Sequence, residues 1–483
     1  MRASEALLAR ALLLSSATFL ASCSLGTLDH QACTSSVDCR AFGVGSMCGT
    51  DGFCGEPQPE PRCQTTYPSD LFTRPENYPN VFLIGTVYDG SLATHIARAQ
   101  SVQLAVIQAN EDGGVGGRPV GLVFCTVAED LTFDGLSRQD AALTTSRYLA
   151  DALGVQAIVG PPSSGETQSV FEALDATSPR VLLISPSATS PLLTGLESPP
   201  SDTSPGVLWR TAPPDSLQGR VLAHDMIDRS VLRVALVTES GAYGEGLGTI
   251  VSASFQTLGG TVVAMPYANA AGLNSSVLAA KAADVDAMLF VSSQTDDVVA
   301  AIITANVAGW PMDRGIFVTD SAANTDFLTG TTDATALYPL IRGTRPAPAS
   351  GPVFDAFTTR YASVFTGQDA RSASFTAQSW DAAWMIFAGA TWAKNADLPF
   401  ETVPIARGLR RLSSGTSVDF GSGALGVLAT AFATGGDVNV RGASGDLDYD
   451  PITEETVAPI QLWTVAGDAS AGFRIEPGAI VQP

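Results

Sequence analysis

The amino-acid sequence predicts an α/β protein of two Rossmann-like lobes preceded by a small Cys-rich segment. Three observations predict it. Short runs of bulky aliphatics recur from VFLIGTVY at 81–88 onward and alternate with stretches of helical periodicity, the pattern of strands buried on both faces and flanked by helices. The alternation repeats beyond residue 230, which makes two units of similar size. Five cysteines crowd into residues 33–63, ahead of both units. A chain of 483 residues with 45% hydrophobic content has material for such cores, and 46 glycines with 29 prolines supply the turns.

At the N-terminus, Arg2 precedes an apolar stretch that is interrupted by Arg10 and too brief to span a membrane; it reads as a signal peptide over 1–22. The stretch ends in Leu20-Ala21-Ser22-Cys23, which resembles a bacterial lipobox, so Cys23 is expected to carry lipid and tether the chain. An ordinary secretory signal gives the same export without the anchor. Ser24, where an aspartate would retain a lipoprotein at the inner membrane, suggests the outer membrane of the envelope. Residues 23–63 hold Cys33, Cys39, Cys48, Cys54 and Cys63 among Gly, Ser and Asp, and read as a disulfide-stapled knot with little core of its own. Cys125 completes an even set; the pairing stays open, with Cys63 and Cys125 as candidates to staple the knot's exit to the main body. No CxxC pair occurs and the nearest histidine is His30, so no metal site is expected. The prolines from Pro57 to Pro79 mark a linker, assigned to 64–80.

In the first unit, VFLIGTVY leads to Ile96, Ala99, Val102 and Val106 at helical spacing. The strand PVGLVFCTV, a helix near 141–153, the strand VQAIVG, a helix from Gly165 and the strand VLLIS follow. The second unit has strands RVALVTES, TVVAMPYA, AMLFVSS and GIFVTDS, separated by helices near 245–258, 275–283 and 296–308. Beyond Gly351, helices over 354–365, 375–394 and 400–412 form a block with little strand, expected to pack onto a lobe already made. Should that be the first lobe, the chain crosses between lobes more than once, and repeated crossing makes a hinge. Trp380, Trp384 and Trp392 in the long helix read as core.

Several stretches in chain order carry a resemblance. They are Asn110 to Pro119 with its four glycines, Val159-Gly160-Pro161 with Ser163-Ser164, Ile184 to Thr189, Tyr243 to Gly246, Ser379 to Ala382, and Gly442 to Asp450. Together they resemble type I periplasmic binding proteins, closest to the leucine/isoleucine/valine-binding branch that serves ABC importers, over about Val81 to Val465. The resemblance implies a Venus-flytrap fold whose three-crossover hinge falls near Trp209, Gly343 and Leu447. Lobe 1 would comprise 81–209 and 344–447, and lobe 2 would comprise 210–343 and 448–483.

It also implies a site. A zwitterion drawn into a closing cleft needs both charges met, since an unpaired buried ion costs several kcal/mol. The resemblance assigns the ligand carboxylate to Ser164, Ala188 and Thr189, with the helix start at Ser164 favouring an anion and Ser163 as a further ligand-binding candidate. It assigns the ammonium to Asp320, at the carboxyl end of GIFVTDS, and a closing role to Tyr243; Tyr88 is a further candidate. Ser163, Ser164 and Thr189 are equally the residues that cap helices, Asp320 a cap or surface charge, and Tyr243 a packing residue. Ser293, Gln294 and Thr295 stand where relatives often place aromatic residues, which implies a more polar pocket than one made for leucine.

Other classes fare poorly. A formal charge of -22 lacks the clustered Lys and Arg that nucleic acid needs. No G-x-S-x-G elbow is present, and outside the tether only His95 and His224 offer a general base, so no enzyme is expected. The glycines at 244, 246 and 248 miss phosphate-loop spacing, and Asp446, Asp448 and Asp450 lack a calcium loop's glycine and terminal glutamate, so no cofactor is expected. The expected protein is a lipid-anchored envelope binder of an amino acid or amide, partnered by an ABC permease. The alternative is a receptor that senses the same ligand for a signalling partner, and a third class is a structural lipoprotein.

Overall fold

The computed structural model describes residues 31–58, 60–129, 133–175 and 181–483; Cys23 and the signal segment lie outside them. The Cys-rich knot consists of a helix, Ser36–Phe42, and a two-stranded ladder of β1 (Met47–Cys48) and β2 (Cys54–Gly55). Cys33–Cys48 and Cys39–Cys54 disulfides hold it together. So small a unit has almost no core, and it leans on the main body. Ser36 Oγ donates to Ala152 O at 2.6 Å, and buried Arg40 donates to Leu153 O at 2.5 Å and Gly154 O at 3.2 Å.

The proline-rich segment assigned as a linker is built into the first lobe. Its strand β3 (Thr65–Tyr67) pairs antiparallel with the second strand of the lobe, and Leu71 is 2% exposed. A Cys63–Cys125 disulfide fixes the same segment. Proline density signals turns and edge strands as readily as free tethers.

The first sheet contains β4 (Phe82–Tyr88), β5 (Val120–Thr126), β6 (Ala157–Val159), β7 (Leu182–Ser185) and β8 (Leu208–Arg210), in the order β3-β5-β4-β6-β7-β8. All but β3 run parallel. One face is covered by helices Arg138–Arg147 and Ser164–Asp175. The other is covered by Ala93–Glu111 and by the block of helices that follows residue 351, so that block returns to the first lobe. Of the three tryptophans read as core in the long helix Thr376–Asn395, Trp380 and Trp384 are buried and Trp392 is partly buried against the same cluster. Along Ala93–Glu111, Ala99, Val102 and Val106 face the core, but Ile96 is 39% exposed. Asp381 of the long helix accepts from Ala443 N at 2.7 Å and Ser444 N at 2.8 Å, tying it to the turn after β15 (Val438–Gly442).

The second sheet contains β9 (Arg233–Glu239), β10 (Thr261–Tyr267), β11 (Ala287–Val291), β12 (Gly315–Val318), β13 (Ile341–Pro346), β17 (Ile460–Asp468) and β18 (Gly472–Val481). Their order is β10-β9-β11-β12-β13-β17-β18, with the last two antiparallel. Helices Ser216–Asp228 and Ala242–Thr257 cover one face, and Ala270–Ala282 and Thr295–Ala308 the other. The chain passes between the sheets after β8, after β13, and between the short strand β16 (Gly445–Asp446) and β17. In each sheet the strand order reverses next to its first strand, at β4/β6 and at β9/β11. Such reversals open a crevice at the strands' carboxyl ends.

Candidate functional site between the lobes

The two crevices face each other. A cavity of about 40 Å³ between them is lined from the first lobe by His95, Arg98, Arg138, Ser163, Ser164, Ser187 and Phe375, and from the second by Tyr243, Ser293, Gln294, Thr295 and Asp320. That is room for a few waters. Through Asp320, Asn324, Ser374 and Phe375 it adjoins a chamber of about 570 Å³ beside the crossover after β13.

On the second lobe, Asp320 follows β12 and is 7% exposed. Its Oδ1 accepts from Tyr243 Oη at 2.7 Å and from Gln218 Nε2 at 3.1 Å. Both donors go to one oxygen; among the described residues nothing hydrogen-bonds Oδ2. Burial, and then the carboxylates of Asp320 and Asp215, push the Tyr243 phenol well above its ordinary value, so it stays a donor. Asp215, at the first crossover, is likewise held well above the carboxylate range by burial and by Asp320, against the Thr189 hydroxyl and Arg210. Tyr243 stands in the first turn of Ala242–Thr257, whose glycines let the lobes meet: a Cβ on Gly246 would lie 2.4 Å from Ser190 Oγ of the first lobe.

Behind Ser293, half-buried Glu239 at the end of β9 accepts from Ser292 Oγ at 2.7 Å and Ser293 N at 2.9 Å. Burial raises its carboxyl to about 7 despite those donors, with the Asp297 charge adding to the rise. Ser293, Gln294 and Thr295 thus present a hydroxyl and amide wall to the cavity.

On the first lobe, Ser163 caps the helix Ser164–Asp175 reciprocally: Glu166 N donates to Ser163 Oγ at 3.3 Å, and Ser163 N donates to Glu166 Oε2 at 3.2 Å. Ser164 Oγ accepts from Ser190 N at 3.1 Å. The sequence-predicted residues Ser163, Ser164, Tyr243 and Asp320 therefore share one cavity. Ala188 and Thr189 do not line it: Ala188 N donates to Ser185 Oγ at 3.1 Å, and Thr189 is buried against the first crossover, where Asp215 N donates to Thr189 O at 2.8 Å. Tyr88 lines a separate small cavity and packs edge-on to Phe124.

The sequence reading missed the cations. Arg138 is paired with Asp89 and, at 3.1 Å, with Glu166. Arg98 has only neutral partners: Ser374 O at 2.9 Å, Ser374 Oγ at 3.2 Å, Ser187 Oγ at 3.3 Å and His95 Nε2 at 3.1 Å. Burial lowers Arg98 to about 10, which leaves it cationic, and burial with the two arginines holds His95 well below its ordinary value, so the imidazole is neutral and accepts from Arg98. The Phe375 ring lies under the guanidinium, 5.0 Å from it, on a residue with φ of +63°, a costly conformation for a bulky side chain. Arg98 stands four residues before Val102, on the stripe that faces the sheet; that position was the available signal.

Two Rossmann-like lobes, crossed by the chain three times around a polar interlobe cavity, define the architecture of type I periplasmic binding proteins. The chain belongs to the periplasmic binding protein family, whose model matches residues 72–428. It is 30% identical over 164 residues to the Leu/Ile/Val-binding protein BraC3 of Rhizobium johnstonii, covering 33% of this chain and 39% of that one. It is 32% identical over 212 residues to the chemotactic signal transduction system substrate-binding protein BasB of Halobacterium salinarum, covering 42% of this chain and 46% of that one. Each alignment spans less than half the length of the relative it matches. Among solved structures, the branched-chain amino acid transporter substrate-binding protein LivJ of Streptococcus pneumoniae, in complex with isoleucine, has a TM-score of 0.59 at 20% identity, over 82% of this chain and 100% of that one. These are solute-binding proteins rather than enzymes, and the family is extracytoplasmic.

Proposed function

We propose that this protein captures an amino-acid-like zwitterion between its lobes and delivers it to the permease of an ABC importer. The observation that carries this reading is the opposition across one cavity of Asp320, with an oxygen free of partners among the described residues, and the polar groups of the first lobe. Asp320 receives the ammonium, Tyr243 orients that carboxylate, and Ser163 with Ser164 brings a helix start toward the acid end. The cavity is too small for an amino acid, so the lobes part and settle about the ligand by bending at the crossovers. The lobes are 81–209 with 344–447, and 210–343 with 448–483. Ala188, Thr189 and Tyr88 act from behind the cavity wall in this scheme.

Cys23 carries the lipid that tethers the chain to the envelope, with Ser24 directing it to the outer membrane. The relative from a chemotactic signalling system favours one second reading: the same closure reports ligand to a signalling partner. A permease and ATPase encoded beside this chain point to transport, and a kinase to sensing.

A thermal-shift screen of the soluble chain against the amino acids tests the site. A ligand that binds only the folded state raises the melting temperature. We expect at least one amino acid to do so and Asp320→Ala to lose the shift while keeping the unliganded melting temperature within a few degrees. A panel without any shift, or a shift that survives in Asp320→Ala, overturns the assignment.

A further inference from the structure

We propose that Arg98 is the receptor for the ligand's carboxylate, and that the ligand is therefore an amino acid with a free acid group rather than an amide. The inference rests on the amino-acid-binding reading of the same cavity and decides which end of the ligand goes where.

The positions that the family resemblance offers for the carboxylate are largely engaged within the protein. Ala188 N–H is donated to Ser185 Oγ, Ser164 Oγ already accepts from Ser190 N–H, and Thr189 does not reach the cavity. Arg98 does reach it, and the carboxylate whose charge acts on it, Asp320, stands across the cavity rather than in an ion pair with it. No carboxylate lies within ion-pairing distance of Arg98 among the described residues, in contrast to Arg138, which has two. All four of its hydrogen-bond contacts are to neutral groups, and they use four of the five N–H donors of a guanidinium.

Such neighbours aim the group without neutralising it. Ser374 holds Nε and Nη2, and the Phe375 ring braces one face, so the planar fork is fixed before any ligand arrives. Across the cavity stands Asp320, which feels the Arg98 charge but forms no ion pair among the described residues. One guanidinium and one carboxylate on opposite jaws sum to zero, and a ligand carrying one of each charge in the reverse order satisfies both. A carboxamide offers Arg98 an acceptor but no charge, and it leaves the cavity with the same unpaired guanidinium that it has when empty.

The test compares each of several L-amino acids with its own α-carboxamide by calorimetric titration of the wild-type protein, Arg98→Gln and Arg98→Lys. The expected result is that the wild type prefers the acid to the amide by at least about 100-fold. Arg98→Gln then loses about 100-fold in affinity for the acid while changing little for the amide, so the preference collapses; Arg98→Lys keeps part of it. A guanidinium that merely ties the Ser374 loop to the first lobe gives another pattern, a lower melting temperature in Arg98→Gln with the acid-to-amide ratio unchanged, and that outcome overturns the inference. Equal binding of acid and amide by the wild type also overturns it while leaving the amino-acid site intact. Binding of neither removes the functional reading and this inference together.

Discussion

Asp320 and Glu239 are both carboxylates at strand ends in the second lobe, and their surroundings give them different work. Asp320 receives a phenol and an amide on one oxygen and turns the other to the cleft. Glu239 is drawn inward beneath Ser292 and Ser293, and burial lifts it to about 7 from an ordinary 4.5. Between those two values the unfolded chain has released the Glu239 proton while the folded chain keeps it, so stability falls as pH rises and levels off once the folded group ionises. Glu239→Gln removes this component. We expect the stability of the wild type relative to Glu239→Gln, measured by urea unfolding, to drop from about pH 5 to about pH 7 with a slope of up to about 1 kcal/mol per pH unit. A difference that stays flat over that range contradicts the placement of Glu239.

At the scale of elements, the hinge is where two crossovers are clamped together. Arg210, 1% exposed at the end of β8, forms a two-point ion pair with Glu455, which precedes β17. The same guanidinium donates to Ser190 O at 2.7 Å and Ala188 O at 3.2 Å, and Tyr449 Oη donates to Arg210 O at 2.8 Å. One side chain thus joins the first crossover, the third crossover and the loop that approaches the second lobe at Ser190. Breaking a buried pair strands its partner, so Arg210→Met is expected to cost about 3–5 kcal/mol in urea unfolding, with part recovered in Arg210→Met/Glu455→Gln. A cost below about 1 kcal/mol would show that the clamp carries no load.

The same scale explains what was legible in the sequence. Four of the five parallel strands of the second sheet announced themselves as short apolar runs, as strands enclosed between helices do; β13, Ile341–Pro346, did not, because two arginines, a glycine and a proline break up its run. The small sheet of β14 (Thr416–Asp419), β15 and β16 did not, since its burial alternates in strands of two to five residues. Nor did the helix Ala424–Ala433, where Leu425, Leu428 and Phe432 are buried within an Ala- and Gly-rich run of weak periodicity. In the cavity, the family resemblance had pointed to Asp320 after a strand and to Tyr243 at a helix start, and both line it. Arg98 stood on the stripe that faces the sheet, four residues before Val102, but a lone arginine between alanines looks like a solvated face until the fold turns it inward.

For the whole molecule, each part has a distinct physical task. The knot and the segment after it are fastened to the first lobe by Arg40, by β3 and by the Cys63–Cys125 disulfide, so the lobe that bears them is a stiff base. The long helix and its neighbours thicken that base on the opposite face. The second lobe touches it chiefly at Ser190, at the crossovers and around the cavity, which leaves one lobe to swing against the other. Among the described residues no helix is long and apolar enough to cross a membrane.

The most direct measurement is a crystal structure of the protein with the amino acid that gives the largest thermal shift. The account predicts the ligand in the cavity between β4/β6 and β9/β11, its ammonium on Asp320 Oδ2 and its carboxylate toward Arg98 and the helix that starts at Ser164. A ligand seated instead in the larger chamber beside the second crossover, with Asp320 still bonded only to Tyr243 and Gln218, would contradict it.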